Sequence, residues 1–291
     1  MPFHPLLEGA IDLHMHSGPS IFPRRQTDWE LVEDAKRAGM GGLVIKSHEA
    51  PTADRTALIR LKEPHMHVYG GIVCNAFVGG FCPQAVDVAI RSGGKIVWMP
   101  TISAREHQAH FARRNTRFFQ AGKPLVHAGE GLTIFDRDGA ILPEVREIVA
   151  LAAEADVVLA TGHLAPEEVL ALAGEARSQG VRKLLIQHTD LGIARIRFEL
   201  ERELAGKGAV LEKCYLACSR DFADITVEEM ADSIRRLGAR SCVLVTDYGQ
   251  LHNMPAVEAF SEFVGRLSAC GVNDDDIRTM IVDMPRELLG V

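Results

Sequence analysis

The sequence predicts an α/β fold of the (β/α)8 TIM barrel type, and three observations support that prediction. The chain has 291 residues, and α/β barrels commonly use about 250 residues as one domain. Short apolar runs recur along it, each followed by a turn signal and then by a segment of helical period. Most of these runs are continuously apolar, as is typical of strands buried on both faces of a parallel sheet. A doubly wound open sheet is the alternative.

The apolar runs define eight predicted strands, and helical segments fill the intervals between them. The strands are residues 10–14, 42–46, 67–73, 95–99, 157–161, 183–187, 209–213 and 242–246. Thr27 and Glu30 form a capping box at the start of the first helix, and Gly39 ends it. The remaining helices are predicted at residues 52–61, 83–91, 143–155, 166–179, 195–205, 227–237 and 255–270.

One connection is unusually long, and we interpret it as an insertion in a single barrel domain spanning residues 1–291. It covers about residues 102–141 and contains a possible hairpin around residues 136–139. Long insertions are often functional. Because this one leaves the C-terminal end of a strand, where barrel active sites lie, we favour a lid or pocket wall over a surface excursion.

Composition excludes several classes of protein. The chain is 47% hydrophobic and 24% charged, which is typical of a globular protein and not of a disordered one. No apolar run is long enough to span a membrane and no secretory signal is evident, so we expect a cytoplasmic protein. The six cysteines show no CxxC spacing, and the net charge of −7 without a basic block argues against nucleic acid as a partner. We expect a small-molecule substrate instead.

Polar side chains suited to metal binding follow several of the predicted strands. In a strand, residues i and i+2 face the same side, so two histidines at that spacing can present imidazoles to one point. Barrel closure would bring the ends of the first and eighth strands together. The candidates are His14 and His16 at the first strand, Lys46 and His48 at the second, His163 at the fifth, His188 at the sixth and Asp247 at the eighth.

The pattern resembles the amidohydrolase superfamily of metal-dependent hydrolases. The resemblance is carried by Asp12-Leu13-His14-Met15-His16, by His163 and His188, and by Asp247. Residues 283–290 also resemble the closing stretch of that superfamily, with Met284 in place of its usual asparagine and Glu287 in place of an alanine. The resemblance implies a distorted barrel that holds one or two divalent ions on these histidines and the aspartate.

Lys46 is the point at which this sequence departs from the superfamily. Binuclear members carry a bridging carbamylated lysine or carboxylate, most often at the fourth strand, but here residues 95–101 offer no ionisable side chain at the productive end. Lys46 stands at that end of the second strand. An ammonium has no lone pair to donate, so Lys46 is either a carbamylated bridge or a substrate-facing or salt-bridged lysine beside a single ion.

The resemblance implies a hydrolase that cleaves a small amide, cyclic amide or lactone. Asp247 is the expected general base, with a role as ligand or orienting residue as the alternative. Three alternatives remain open. The first is phosphoester cleavage, which would use arginines such as Arg24, Arg25 and Arg55. The others are a metal-dependent decarboxylase or lyase and a non-enzymatic metal-binding barrel. Imidazole and carboxylate ligands suit Zn, which we favour, as well as Mn, Fe, Co and Ni. The superfamily resemblance also allows a homo-oligomer.

Further polar residues complete the expectations for the site. We assign His48, Arg55, Tyr248 and His252 to substrate binding because they follow the productive strand ends. His107 and His110 lie in the insertion, where a solvated helix face is favoured over anion binding. His127 and Glu130 are alternative metal ligands if residues 124–126 form a strand that enters the mouth.

Overall fold

Nine short strands, buried along most of their length, form the centre of the molecule. The structure is a computed structural model, and it describes residues 2–114 and 131–291. Each of the eight predicted runs contains a strand, and the third run is divided in two. The strands are β1 (Ile11–Met15), β2 (Gly42–Ile45), β3 (His67–Tyr69), β4 (Gly71–Val73), β5 (Ile96–Trp98), β6 (Val158–Ala160), β7 (Leu184–Ile186), β8 (Val210–Cys214) and β9 (Cys242–Val245).

The strands are all parallel and follow the order of the chain. The hydrogen-bonded order is β1-β2-β3 and β4-β5-β6-β7-β8-β9, and β3 and β4 occupy one barrel position on either side of Gly70. A Cβ atom at Gly70 would lie 2.2 Å from Thr52 Oγ1, so the chain passes this point only without a side chain. At this break the Gly71 amide donates to Thr52 Oγ1 at 2.9 Å and the Thr52 amide donates to the Gly71 carbonyl at 2.9 Å.

The first and last strands close the barrel at their C-terminal ends. The Asp247 amide donates to the His14 carbonyl at 2.8 Å, and the His16 amide donates to the Tyr248 carbonyl at 2.8 Å. The Asp12 carboxylate accepts two further hydrogen bonds from the amide and hydroxyl of Thr246. These contacts confirm the (β/α)8 prediction over the open sheet.

Helices between successive strands pack apolar faces on the barrel. The first begins with the predicted capping box, in which Thr27 Oγ1 accepts from the Glu30 amide and Glu30 Oε2 accepts from the Thr27 amide at 2.8 Å. The described helices are α1 (Asp28–Arg37), α2 (Ala53–Lys62), α3 (Pro83–Arg91), α4 (Arg105–Arg114), α5 (Pro143–Glu154), α6 (Pro166–Ser178), α7 (Phe198–Gly206), α8 (Val227–Leu237), α9 (Ala256–Ala269), α10 (Asp274–Arg278) and α11 (Met284–Leu289). Within the described ranges, no helix is long and apolar enough to cross a bilayer.

The long connection after β5 has structure of its own. It begins with α4 and returns through the predicted hairpin, in which Phe135 and Ile141 form an antiparallel bridge. Buried Glu168 at the start of α6 holds this returning segment, because its Oε1 accepts from the Ile134 amide at 3.0 Å. His127, Glu130 and the run 124–126 lie outside the described residues.

Candidate metal centre

Three of the predicted ligands converge at the seam between β1 and β9. Both imidazoles of the His-x-His pair turn toward one carboxylate oxygen: His14 Nε2 lies 3.0 Å and His16 Nε2 lies 2.9 Å from Asp247 Oδ1. All three side chains are buried. The i, i+2 spacing on β1 places the two rings on the same side, as the sequence predicts.

An unusual backbone conformation turns the residues that follow β7 and β9 inward. His188 and Asp247 each stand two residues beyond the end of a strand, and both adopt positive φ angles, 55° and 57°. Gly162, just before His163, has a φ of 60°. A left-handed conformation at a residue other than glycine costs about 1 kcal/mol or more, so the surrounding structure must enforce it.

Glu212 on β8 is a member of this cluster that the sequence analysis missed. It is fully buried, and both of its carboxylate oxygens lie 3.3 Å from His14 Nδ1. Its Oε1 also lies 3.3 Å from His188 Nδ1, and its Oε2 accepts from Gln187 Nε2 at 3.0 Å. Glu212 therefore faces the Nδ1 edges of two imidazoles, while their Nε2 edges face Asp247.

These contacts determine which nitrogen of each histidine can bind a metal. His14 Nδ1 donates to Glu212, and His16 Nδ1 donates to the Lys46 carbonyl at 2.8 Å. Because Nδ1 is engaged by these acceptors, Nε2, which faces Asp247, is the nitrogen of each ring that is available to a metal ion. Carboxylate and carbonyl acceptors behind a histidine are the usual arrangement around ligand histidines.

Electrostatics favour a positive charge at this point. Burial lowers the pKa of His14, but the Asp247 and Glu212 carboxylates outweigh it and raise the pKa to about 9. His16 behaves oppositely, because burial and the charge of Arg24 lower its pKa to about 3. Burial raises the pKa of Asp247, yet His14 and His16 hold it well below its ordinary value, so the carboxylate is ionised.

The donor set therefore fits a divalent ion. His16 Nε2 and Asp247 Oδ1 are both acceptors, 2.9 Å apart and buried, a contact that is unfavourable without a cation between them. Glu212 Oε1 and Asp247 Oδ2 lie 3.3 Å and 3.9 Å from the ring nitrogens of buried His188, but neither nitrogen makes a hydrogen bond to a described residue. Within the same described residues, three groups of side chains place ligand atoms within 4.8 Å of one another: His14, His16 and Asp247; His14, His188 and Glu212; and His188, Cys214 and Asp247.

Cys214 is the least suitable metal ligand among the side chains of these three groups. Burial and the nearby carboxylates raise the pKa of its thiol well above the ordinary value, so the sulfur keeps its proton. Its Sγ lies 3.7 Å from the Thr246 carbonyl, to which it can donate. A protonated thiol is a poor metal ligand, which leaves imidazole and carboxylate donors.

Lys46 reaches the same point from β2. Its Nζ lies 3.1 Å from His14 Nε2 and 5.5 Å from the centroid of the Trp98 ring, and the side chain is fully buried. Burial lowers the pKa of this amine. A lowered pKa favours the neutral amine, the form that can react to a carbamate.

His163 lies beside this cluster and is held by a residue of the insertion. Its ring is 4.9 Å from that of His188, and its Nδ1 lies 2.8 Å from His107 Nδ1. Both rings are neutral, because burial lowers the pKa of His107 to about 3 and that of His163 well below 6.5. In such a pair one Nδ1 donates and the other accepts. The solvated helix face expected for His107 and His110 is wrong: α4 packs inward and both side chains are buried.

The residues assigned to substrate binding are distributed more widely. His48 stacks on His16 with ring centroids 4.8 Å apart, and its Nδ1 lies 2.9 Å from Thr101 Oγ1. Arg55 pairs with Asp28 at 3.1 Å, close to the mouth. Tyr248 stacks on Tyr215 with ring centroids 5.6 Å apart, and Tyr215 in turn stacks on Phe263 of α9. His252 is exposed and pairs with Asp221 at 2.7 Å.

Solved structures that match this chain bear the names of several different hydrolases. An amidohydrolase from Pseudomonas aeruginosa matches with a TM-score of 0.65 and 16% identity, over 99% of this chain and 98% of that one. A probable 2-pyrone-4,6-dicarboxylic acid hydrolase from Acinetobacter baumannii matches with a TM-score of 0.60 and 12% identity, over 97% of this chain and 100% of that one. An organophosphorus hydrolase from Deinococcus radiodurans matches with a TM-score of 0.59 and 14% identity, over 98% of this chain and 94% of that one. At these identities the likeness establishes the fold alone, and it agrees with the (β/α)8 barrel described above.

Sequence comparison assigns the chain to a family. No curated protein matches it. Residues 9–212 match the model of a family of unknown function (DUF6282), and this range includes every candidate ligand except Asp247. Because the match covers more than half of the sequence, the chain belongs to the family of unknown function DUF6282.

Proposed function

We propose that this protein is a metal-dependent hydrolase of a small amide, cyclic amide or lactone. The single observation that carries the proposal is the convergence of His14 Nε2 and His16 Nε2 on one oxygen of ionised, buried Asp247. The C-terminal end of a barrel is where the catalytic residues of this fold are found. Zinc is our preferred ion, since imidazole and carboxylate donors suit it.

The chain's own residues would hold the reacting groups in place. A bound divalent ion would supply acidification of water and polarisation of the substrate carbonyl. Asp247 Oδ1 faces both histidines, whereas Asp247 Oδ2 lies 3.9 Å from His188 Nε2 and is the less engaged oxygen. We assign Asp247 Oδ2 the role of accepting the proton of the attacking water and passing it to the leaving group.

Lys46 distinguishes two forms of the centre. As a carbamate it would offer anionic oxygens, and together with His14, His16, His188 and Asp247 it would provide enough ligands to hold two ions. As an amine it would stand beside one ion and orient His14 or the substrate. The first form predicts about two ions per chain and the second about one.

Metal content tests the proposal directly. Protein purified without chelator would be analysed by elemental mass spectrometry together with His14→Ala, Lys46→Ala and the control His252→Ala, whose exposed side chain pairs with Asp221 outside the cluster. We expect metal in the wild type and the control, and its loss in His14→Ala. A fall from two ions to one or none in Lys46→Ala supports the bridge. Absence of metal from all samples would overturn the proposal.

Phosphoester cleavage is the second candidate, and arginines at the mouth favour it. Arg24 lies on the loop that follows β1 and Arg55 in the first turn of α2, where guanidinium groups could neutralise a phosphoryl oxygen. Turnover of an aryl phosphate, in preference to amides and lactones, would replace the leading proposal with this one. Release of carbon dioxide would indicate a decarboxylase or lyase instead.

A further inference from the structure

Arg24 lies over the mouth of the candidate metal centre with part of its guanidinium group buried. Its Nε donates to Ser20 Oγ at 3.4 Å, whereas its Nη2 is inaccessible to solvent and makes no hydrogen bond to any described residue. Within the described ranges, no carboxylate oxygen lies within 4 Å of its guanidinium nitrogens, although other arginines in the same ranges form such pairs. Burying an unpaired guanidinium nitrogen is costly, so its position calls for a ligand.

Two loops hold this side chain over the metal-binding face. The backbone of Arg24 forms an antiparallel bridge with Gln250, three residues after Asp247, and the neighbouring Arg25 amide donates to the Gly249 carbonyl at 2.9 Å. A Cβ atom at Gly249 would lie 1.9 Å from the His16 carbonyl oxygen. The loop after β1 is therefore pressed against the loop after β9 at the seam where the ligands converge.

Aromatic contacts connect the guanidinium to the ligands. Arg24 Cζ lies 5.7 Å from the centroid of the Phe22 ring, the Phe22 ring meets His48 edge-on at 6.0 Å, and His48 stacks on His16 at 4.8 Å. The positive charge of Arg24 contributes to lowering the pKa of His16, Lys46 and His48. The carboxylates of Glu49 and Asp247 attract Arg24, but neither lies within 4 Å of its guanidinium nitrogens, and Asp247 is already shared by two histidines.

We propose that Arg24 determines substrate specificity by binding an anionic group, a carboxylate or a phosphate, of the molecule that is hydrolysed at the metal centre. This inference rests on the proposed function and narrows its substrate class. A planar guanidinium presents parallel N–H donors that match the two oxygens of a carboxylate or phosphate. A divalent ion nearby would add positive charge and strengthen the preference for an anion.

Calorimetric binding to metal-loaded protein tests this assignment. The probes are malonate, succinate and glutarate, each compared with its uncharged diamide, and inorganic phosphate. The variants are Arg24→Gln, Arg24→Lys and the control Arg91→Gln, whose arginine is exposed and pairs with Asp87 on α3. We expect at least one anion to bind the wild type, with affinity reduced about 10- to 100-fold in Arg24→Gln, partly restored in Arg24→Lys and unchanged in the control.

The outcomes separate the two proposals. Loss of dicarboxylate binding alone in Arg24→Gln identifies a carboxylate, and loss of phosphate binding alone identifies a phosphate. The assignment is overturned if no anion binds better than the matching diamide, or if Arg24→Gln weakens anions and diamides equally. Metal content is measured in every sample, and the titrations are repeated on metal-free protein. An Arg24-dependent anion site in a wild type that never takes up metal would retain Arg24 as an anion-binding residue and reject the metal-dependent activity.

Discussion

Glu212 allows a quantitative test of the metal centre. Burial raises the pKa of its carboxylate, but the positive charge at His14, with His188 and Lys46, lowers it from 4.5 to about 2. At about 1.4 kcal/mol for each pKa unit, the cluster stabilises the anion by about 3 to 4 kcal/mol relative to its neutral form. A metal ion on the Nε2 side of His14 would supply positive charge to the same carboxylate.

Replacing Glu212 by glutamine keeps the shape of the side chain and removes its charge. A metal ion would replace the proton of His14 and keep the favourable charge, so we expect the loss of the Glu212 charge to raise the metal Kd about 10- to 100-fold, the range for loss of a carboxylate behind a ligand histidine. The assay is competition for Zn²⁺ between the protein and a chromogenic chelator, on protein stripped of metal and reloaded.

Glu201→Gln is the matched control. Glu201 on α7 is also a buried carboxylate, but its cation is Lys213 at 3.0 Å. We expect this variant to lower Tm and to leave the Zn²⁺ Kd unchanged. If Glu212→Gln binds Zn²⁺ within about threefold of the wild type, the stated role of Glu212 is refuted.

Three more predictions follow from contacts already described. His107→Leu leaves His163 Nδ1 buried without its 2.8 Å partner, so we expect about 10- to 100-fold weaker metal binding, with partial recovery in His107→Asn; unchanged binding would remove His163 from the centre. Asp247→Asn removes the proposed base, and steady-state kinetics on the best substrate found should show kcat reduced about 100- to 10,000-fold; a smaller loss would mean that another group takes the proton. Thr27→Ala deletes the cap of α1 and should lower the free energy of unfolding in urea by about 1 kcal/mol with metal content unchanged, whereas loss of metal would link the cap to the site.

The strands were predictable because their hydrophobicity is continuous. A run such as residues 157–161 has no polar face, which is typical of a strand covered by helices on both sides. The ligands of β1 followed from the same geometry, since the i, i+2 period fixes the side on which His14 and His16 lie. Which strand ends then come into contact depends on closure, which the regular alternation of strands and helices implies.

Other members of the site depend on tertiary contacts that the pattern does not contain. Glu212 stands inside an apolar strand next to Lys213, and two adjacent charges in a buried strand are a signal that each needs a partner. The sequence alone does not identify those partners. His107 reaches His163 only because α4 folds back over the mouth, and helical periodicity alone does not distinguish a face turned toward the barrel from one turned toward water.

The seam between β1 and β9 has a consequence for folding. Asp12 and Thr246, which join these strands, are 234 positions apart in sequence, and His14 meets Asp247 across the same join. Contacts at such long range form late, because the entropy of closing the intervening loop opposes them. Metal uptake should therefore begin only once the whole ring of strands has assembled. The rate of Zn²⁺ binding during refolding would then report the rate of the final folding step.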